Sequence, residues 1–418
     1  MHSPETRSVL PTDRRARAAV AALFLTNGAL FANLLPRYPE IKAQLGLSNA
    51  AYGLSVAAFP VGAIVAGLAA AVLIRRFGSA TVAVVGTVLT SLGLLAAGLA
   101  PSLALFVLGL FVGGGMDAIT DVAQNAHGLR VQRRYGRSII NSFHAVWSIG
   151  AVLGGSMAAA AIAMELPIGV HLTISAILFS AVSLTALRFC LPGKDDDGDE
   201  ESIADVDEAR TALRRGVSPR TVFVLVALVV IAMTGTIVED AGNSWATLYL
   251  TSLDAPAAMA ALGFIALVGA QFVGRLIGDR LVDRYGQRAV ARTGGLVAAV
   301  GMGLALAFPT VPGTILGFAA AGFGVATLVP AAMHEADELP GLRQGTGLTV
   351  VSWLMRLGFL LSPTIVGAIA DTAGLRAGLL VVPIAGLAVV LLAGVLQGRP
   401  TQPTRTPETV GAPAEDLV

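Results

Sequence analysis

The amino-acid sequence predicts an all-α protein that threads a bilayer twelve times and arose by duplication of a six-span unit. Three observations carry that expectation: the length of the apolar stretches, the side on which basic residues fall, and motifs recurring about 207 positions apart. An α-helix rises about 1.5 Å per residue, so roughly 20 apolar residues cover the hydrocarbon layer. Six stretches of that length occupy 18–38, 50–74, 79–100, 102–126, 138–163 and 167–190. Six more occupy 221–250, 256–278, 288–309, 312–333, 345–370 and 374–397. None alternates with a strand's period, and in lipid a helix satisfies its own backbone. Hydrophobic residues make up 55% of the chain, charged residues 13%, and mean hydropathy is +0.75, as befits a polytopic membrane protein.

Charge placement sets the expected orientation. Of the 28 Lys and Arg, 23 fall in the N-terminal segment, the tail and every second loop. The alternate loops hold only Arg37, Lys42 and Arg376, while Arg275 and Arg356 lie inside spans. Basic loops stay on the cytoplasmic side, so both termini are expected there, in a bacterial inner membrane. A net charge of +1, with basic residues scattered over short loops, gives no nucleic-acid surface. The first apolar run lacks a small-residue cleavage site and reads as an uncleaved insertion signal. The single cysteine, Cys190, leaves no disulfide framework and no cysteine metal cluster.

The expected organisation is a cytoplasmic N-terminus (1–17), a first unit (18–190), an acidic linker (191–219), a second unit (220–397) and a disordered tail (398–418). The linker holds nine acidic residues between Asp195 and Glu208, a composition that stays solvated. The duplication shows in three places. Thr26-Asn27-Gly28 recurs as Met233-Thr234-Gly235, and Arg75-Arg76-Phe77-Gly78 as Asp283-Arg284-Tyr285-Gly286. Arg137, Trp147 and Ser156 recur as Arg343, Trp353 and Ser362. With an even number of spans each, the two units enter the membrane in the same direction, one of the known transporter plans.

The loop Asp283-Arg284-Tyr285-Gly286-Gln287-Arg288, preceded by Gly274-Arg275-Leu276-Ile277-Gly278-Asp279-Arg280, resembles the cytoplasmic signature of the major facilitator superfamily. The copy in the first unit is degenerate: Arg75 stands where the signature has Asp, and Ser79 and Ala80 replace its trailing basic residues. The run Asn125 to Gly136, then Phe143-His144 and Trp147-Ser148, resembles a bacterial branch near the sugar permeases. The resemblance implies two six-helix bundles around a central cavity lined by spans 1, 4, 7 and 10. It also implies a cytoplasmic gating role for Arg76, Gly78, Asp279, Arg280, Asp283, Arg284 and Gly286.

Polar residues within the spans are the candidate functional groups, because an ionisable side chain at bilayer depth costs about 2.5–3.5 kcal/mol unless it faces protein or water. Asp117 and Asp121 lie four apart on one helix face and are the candidates for carrying a proton. Helix-capping or helix-gluing hydrogen bonds are their alternative role, or, for Asp121, a place at the cytoplasmic mouth. Asn27, Asn33, Asn125, His144 and Trp147 are expected to face the cavity from the first unit. By position Asn33 and Asp240 form a symmetric pair. Glu239, Asp240 and Trp245 are expected near the outer surface, as gate or substrate contact or else as a solvated helix end with an interfacial Trp. Gly235 and Gly242 could let that helix bend or unwind. Arg356, about 18 Å into its helix, needs a carboxylate or a set of carbonyls as partner; Asp117, Glu239 and Asp240 are the candidate carboxylates. His334-Glu335 could join Arg343 in a gate or simply lie at the surface. The paired glycines are expected to allow close packing, and Pro60, Pro330, Pro363 and Pro383 to kink their helices.

No phosphate-binding loop, zinc-protease motif or nucleophile elbow is present, so no cofactor, metal or enzymatic activity is expected. An ion gradient is the expected energy source, protons above sodium because the embedded groups titrate. The partners are then the bilayer, protons and a small-molecule solute, with the chain acting as a monomer. Proton symport of a sugar or organic acid is the first reading and proton-coupled export of amphipathic compounds the second. Against the second, drug antiporters of the family carry an Arg that aligns with Gly109 and a Gly-Pro pair where this chain has Gly154-Gly155. A transporter-shaped sensor is the third, disfavoured by the absence of a signalling domain in the sequence.

Overall fold

Proline and glycine placement shapes the helices of this computed structural model, which describes residues 10–135, 139–193, 218–342 and 345–398. Twelve helical spans are long and apolar enough to cross a membrane among those residues. The first six are α1 (Pro11–Gln44), α2 (Asn49–Gly67), α3 (Ser79–Gly98), α4 (Leu103–Tyr135), α5 (Ser142–Ala163) and α6 (Ile168–Leu187). The second six are α7 (Pro219–Thr251), α8 (Ala257–Tyr285), α9 (Gln287–Ala307), α10 (Val311–Asp337), α11 (Thr346–Ala373) and α12 (Leu375–Val395). The described residues contain no strand. Most of the acidic linker, the tail, and Arg137 and Arg343 fall outside the described residues.

A proline ring clashes with the carbonyl four residues earlier, so a helix yields just before it. Accordingly α2 breaks at Ala57, ahead of Pro60; α10 breaks at Ala326–Thr327, ahead of Pro330; and α12 breaks at Leu379–Leu380, ahead of Pro383. Pro363 is the exception, lying inside the unbroken helix Arg356–Ala373. The expected second span, 50–74, is not one helix: beyond the break at Ala57, α2 ends at Gly67 and a separate helix runs Ala70–Phe77. Of the bending or unwinding expected at Gly235 and Gly242, unwinding does not occur: α7 is one continuous helix. Gly242 serves packing there, since a side chain would run into Leu267.

The helices form two six-helix bundles, and the duplication is visible in how they pack. Contacts of α1 with α5, α2 with α4, α3 with α4 and α3 with α6 recur six helices on. They reappear as α7 with α11, α8 with α10, α9 with α10 and α9 with α12. The contacts between bundles exchange in the same way, α2 with α11 and α8 with α5. Even the turns match: Gly78 and Gly286 end their helices at φ +81° and +82°, a conformation that favours glycine. Large apolar side chains such as Leu276, Leu316 and Leu391 cover the outside, where lipid tails are their solvent. Cys190, just past α6, is half-buried, and burial pushes its thiol up to about 11.

The bundles meet tightly at one end and part at the other. At the end opposite the basic loops, α2 crosses α11 so closely that a side chain on Gly53 would strike the Pro363 carbonyl, and one on Gly367 the Asn49 carbonyl. Asp371 accepts from the backbone N–H of Asn49 and of Ala50, each at 2.8 Å. Tyr52 donates to the Ser244 carbonyl at 2.7 Å, and its ring meets Trp245 edge-on at 5.0 Å. Toward the basic end, Asp121, His144, Arg275 and Arg356 are solvent-exposed although they lie within spans. A cavity between the bundles, open toward the basic end, follows from that asymmetry.

Candidate functional site

A cavity of about 240 Å³ lies between the bundles and is lined from both. Asn27 (α1), Asp117 (α4) and Trp147 (α5) form one wall, and Glu239, Asp240 and Asn243 (α7) with Gln271 (α8) form the other. Phe31, Phe59, Phe264 and Phe359 supply much of the apolar surface. The helices α2, α5, α8 and α11 therefore share the wall with α1, α4 and α7, while α10 contributes no residue to it.

In the first bundle Asn27 is the connector. Its amide nitrogen donates to Asp117 Oδ1 at 2.6 Å, and its carbonyl oxygen accepts from Trp147 Nε1 at 2.8 Å. The small residue Gly28 allows this, because a side chain there would strike the Trp147 backbone and keep α5 from α1. Asp117 is thus positioned by a neutral donor. Asp121 lies one turn closer to the basic end and is exposed. It accepts from Asn125 Nδ2 at 3.0 Å and from Gln124 Nε2 at 3.3 Å. Asn125 is therefore spent on Asp121 and is absent from the cavity wall.

In the second bundle Glu239 accepts from Gln271 Nε2 at 2.7 Å and lies 3.6 Å from Arg275 Nη2. Gln271 and Arg275 are one turn apart on α8, so one helix face presents both to the same carboxylate. Asp240 is buried, with a hydrogen bond from Ser244 at 3.3 Å.

Several expectations are corrected. Glu239 is not at the outer surface: α7 continues to Thr251, about 18 Å beyond it, so the carboxylate sits inside. Asn33 is not on the cavity wall but fully buried, where it accepts from His171 Nε2 at 2.7 Å. Arg37 donates to His171 Nδ1 at 3.4 Å, to Glu40 at 2.9 Å and to the Leu166 carbonyl at 2.8 Å. His171 accepts at Nδ1 and so carries its proton at Nε2. That network ties α1 to α6 and breaks the symmetry between Asn33 and Asp240. Trp245 is neither an interfacial anchor nor a cavity residue; it is 0% exposed behind the wall, against Tyr52.

His144 and Arg356 lie outside the enclosed wall, both exposed. The ring of His144 meets Phe24 edge-on at 5.2 Å. None of the three carboxylates expected to pair with Arg356 does so; it stands where α11 breaks at Met355. Arg275, read only as an intramembrane charge, is the arginine that pairs. Gln271, Asn243 and the four phenylalanines were missed, because neutral and aromatic side chains in an apolar run give no compositional signal. Toward the basic end, His334 lies 3.9 Å from Glu338, and Glu335 accepts from Gln397 N at 3.1 Å, a surface arrangement. Arg76 and Arg284 lie over the rings of Phe77 and Tyr285, each at 5.3 Å. Among the described residues, Asp279, Arg280 and Asp283 form no ion pair across the bundles.

The sequence pattern of the Major Facilitator Superfamily matches residues 20–281 and 252–417. The chain belongs to that superfamily. Its members are transporters, and this chain is a multi-pass membrane protein of that kind, as the cavity between paired bundles implies. It is 28% identical over 379 residues to an uncharacterized transporter of Sinorhizobium fredii, covering 90% of this chain and 97% of the relative. Among solved structures, a nucleoside transporter, NupG, is similar with TM-score 0.72 at 14% identity, covering 92% of this chain and 98% of that one. A D-xylose-proton symporter is similar with TM-score 0.70 at 17% identity, covering 93% and 98%. At those identities the structural likeness speaks for the fold.

Proposed function

We propose that this transporter is proton-coupled, moves a small polar solute by alternating access, and uses Asp117 as the proton-carrying group. The observation that carries the reading is the hydrogen bond of 2.6 Å from Asn27 to Asp117 on the cavity wall. A carboxyl group held by a neutral amide changes charge without breaking an ion pair, and it is reachable from the cavity that cargo would occupy. Loading of proton and cargo are then felt by the same wall, which is the coupling a secondary transporter needs. The basic end faces the cytoplasm by the charge rule, so this state opens inward. Domain movement takes place about the two bundles, 18–190 and 220–397, with the acidic segment 191–219 joining them.

The nature of the wall guides the cargo. Amides, carboxyl groups and aromatic rings suit a polar, hydroxyl-bearing molecule; an organic acid would meet Asp117, Glu239 and Asp240 and be repelled. The proton symporter among the structural relatives transports D-xylose by its description, in keeping with a sugar-like cargo. Export of amphipathic compounds is the second reading, favoured by the four phenylalanines.

In proteoliposomes carrying a pH-sensitive dye, cargo addition should move protons in the native protein and not in Asp117→Asn. Full coupled flux in Asp117→Asn, with the fold intact by thermal unfolding, would remove Asp117 from the mechanism. A protonophore should collapse uphill accumulation.

A further inference from the structure

At the closed end of the cavity, three polar atoms have no hydrogen-bond partner among the described residues. Asp240 is 7% exposed, and its Oδ2 has no hydrogen-bond partner. Ser362 lies beside it, with its hydroxyl 3.2 Å from the Ile237 carbonyl. Asn243 Oδ1, nearly one turn further along α7, is unpartnered as well, and so is the hydroxyl of Tyr38 on the facing α1. All three residues line the same cavity. Leaving buried acceptors unpaired costs about 1–3 kcal/mol each, and native proteins seldom tolerate it without a use.

Two of these atoms are acceptors, so the missing group is a donor. Its charge follows from the rest of the wall. Asp117, Glu239 and Asp240 are the ionisable acids lining the enclosed cavity, and no Lys, Arg or His lines it. Arg275 offsets Glu239 from outside the wall, and among the described residues Asp240 forms no ion pair. Aromatic faces complete the surroundings: Phe31 and Phe59 stand 4.8 Å apart, with Phe264 and Phe359 on the same wall. A cation gains from such faces, and an ammonium group brings three N–H donors on one positive centre.

We infer that the cargo is a small organic cation whose protonated amine docks at the closed end of the cavity, on Asp240 Oδ2 and Asn243 Oδ1. This rests on the preceding reading only in taking the cavity as the transport site. The assignment gives the carboxyl groups separate tasks: Asp240 selects the cargo's charge, while Asp117, on the other bundle, carries the proton. Cargo bound from α7 to α1 would also span the two bundles at the end where they are already closed.

The test uses the purified full-length protein and probe pairs matched in shape but differing in charge. Glucosamine is set against glucose and 3,3-dimethylbutylamine against 3,3-dimethylbutan-1-ol, with sodium chloride alone as a further arm. Binding is read by thermal shift and by quenching of tryptophan fluorescence. At least one cation is expected to bind at least about ten-fold more tightly than its neutral partner, a difference of about 1.4 kcal/mol. Asp240→Asn should erase that preference while melting as a folded protein, and Asn243→Ala should weaken the cation alone. Equal binding within the pairs, no binding of either cation, or a preference that survives Asp240→Asn overturns the inference. A shift by sodium alone that depends on Asp240 overturns it too, making the site one for a metal ion. A neutral solute that binds and drives protons through Asp117 would overturn this inference and leave the proton-coupled reading standing.

Discussion

Asp371, near the end of α11, holds the backbone N–H of Asn49 at the start of α2 at 2.8 Å, and its second oxygen holds Ala50 equally. The first turn of a helix offers unpaired N–H groups and a partial positive charge, so one carboxylate from the other bundle both caps and clamps it. Asp371→Asn should loosen this end and raise the share of molecules open to the opposite side. Spin labels on Leu47 and Thr372 would report it as a longer distance in the variant; an unchanged distribution would count against the clamp.

Gly53 faces the Pro363 carbonyl with no room for a side chain. Gly53→Val should therefore keep α2 and α11 apart, holding the protein away from the state seen here. Turnover is expected to fall at least about ten-fold, which corresponds to about 1.4 kcal/mol, with normal membrane insertion. Wild-type transport rates in this variant would show that closure at this crossing is dispensable.

Asn27 satisfies Asp117 and Trp147 together while only 6% exposed. Asn27→Ala leaves both without their partner and should cost about 1–3 kcal/mol in thermal unfolding. Proton uptake should also lose its dependence on cargo, because the wall no longer holds the carboxyl group in place. Unfolding that shifts while coupling stays intact would confine Asn27 to a structural part.

Asn33, by contrast, belongs to the His171–Arg37 network. Asn33→Ala removes the acceptor of His171 Nε2 and should lower the unfolding temperature, again by about 1–3 kcal/mol of stability. Cargo affinity in the folded fraction should match the native protein. A change in affinity alone would return Asn33 to the cavity.

Asn27 and Asn33 illustrate why the site was only partly legible. Both are asparagines in one apolar run, six residues apart, and nothing local separates them. Asn27 meets Trp147 because Gly28 lets α5 approach; Asn33 meets His171 because α6 lies behind it. Glu239 was misplaced for a different reason. Counted from Arg220, Glu239 lies about 28 Å along its helix, nearly the thickness of the hydrocarbon layer, but the helix continues to Thr251 with Ala246 to Leu250 buried against neighbouring helices.

What the sequence determined by itself is the architecture. Helix number, the duplication and the packing breaks follow from local rules: lipid demands about 20 apolar residues per crossing, a proline disrupts the carbonyl four before it, and a glycine turns at positive φ. Those constraints act within one helix, or repeat identically in both halves, and so can be read along the chain. Tertiary structure alone decided which polar groups meet. Glu239 takes Arg275 and Gln271, Asp117 takes Asn27, and Arg356 takes no carboxylate, because the rotation of each helix about its axis is fixed by close contacts with several neighbours at once. A rotation of one residue, about 100°, would redirect every one of these side chains while leaving hydropathy unchanged.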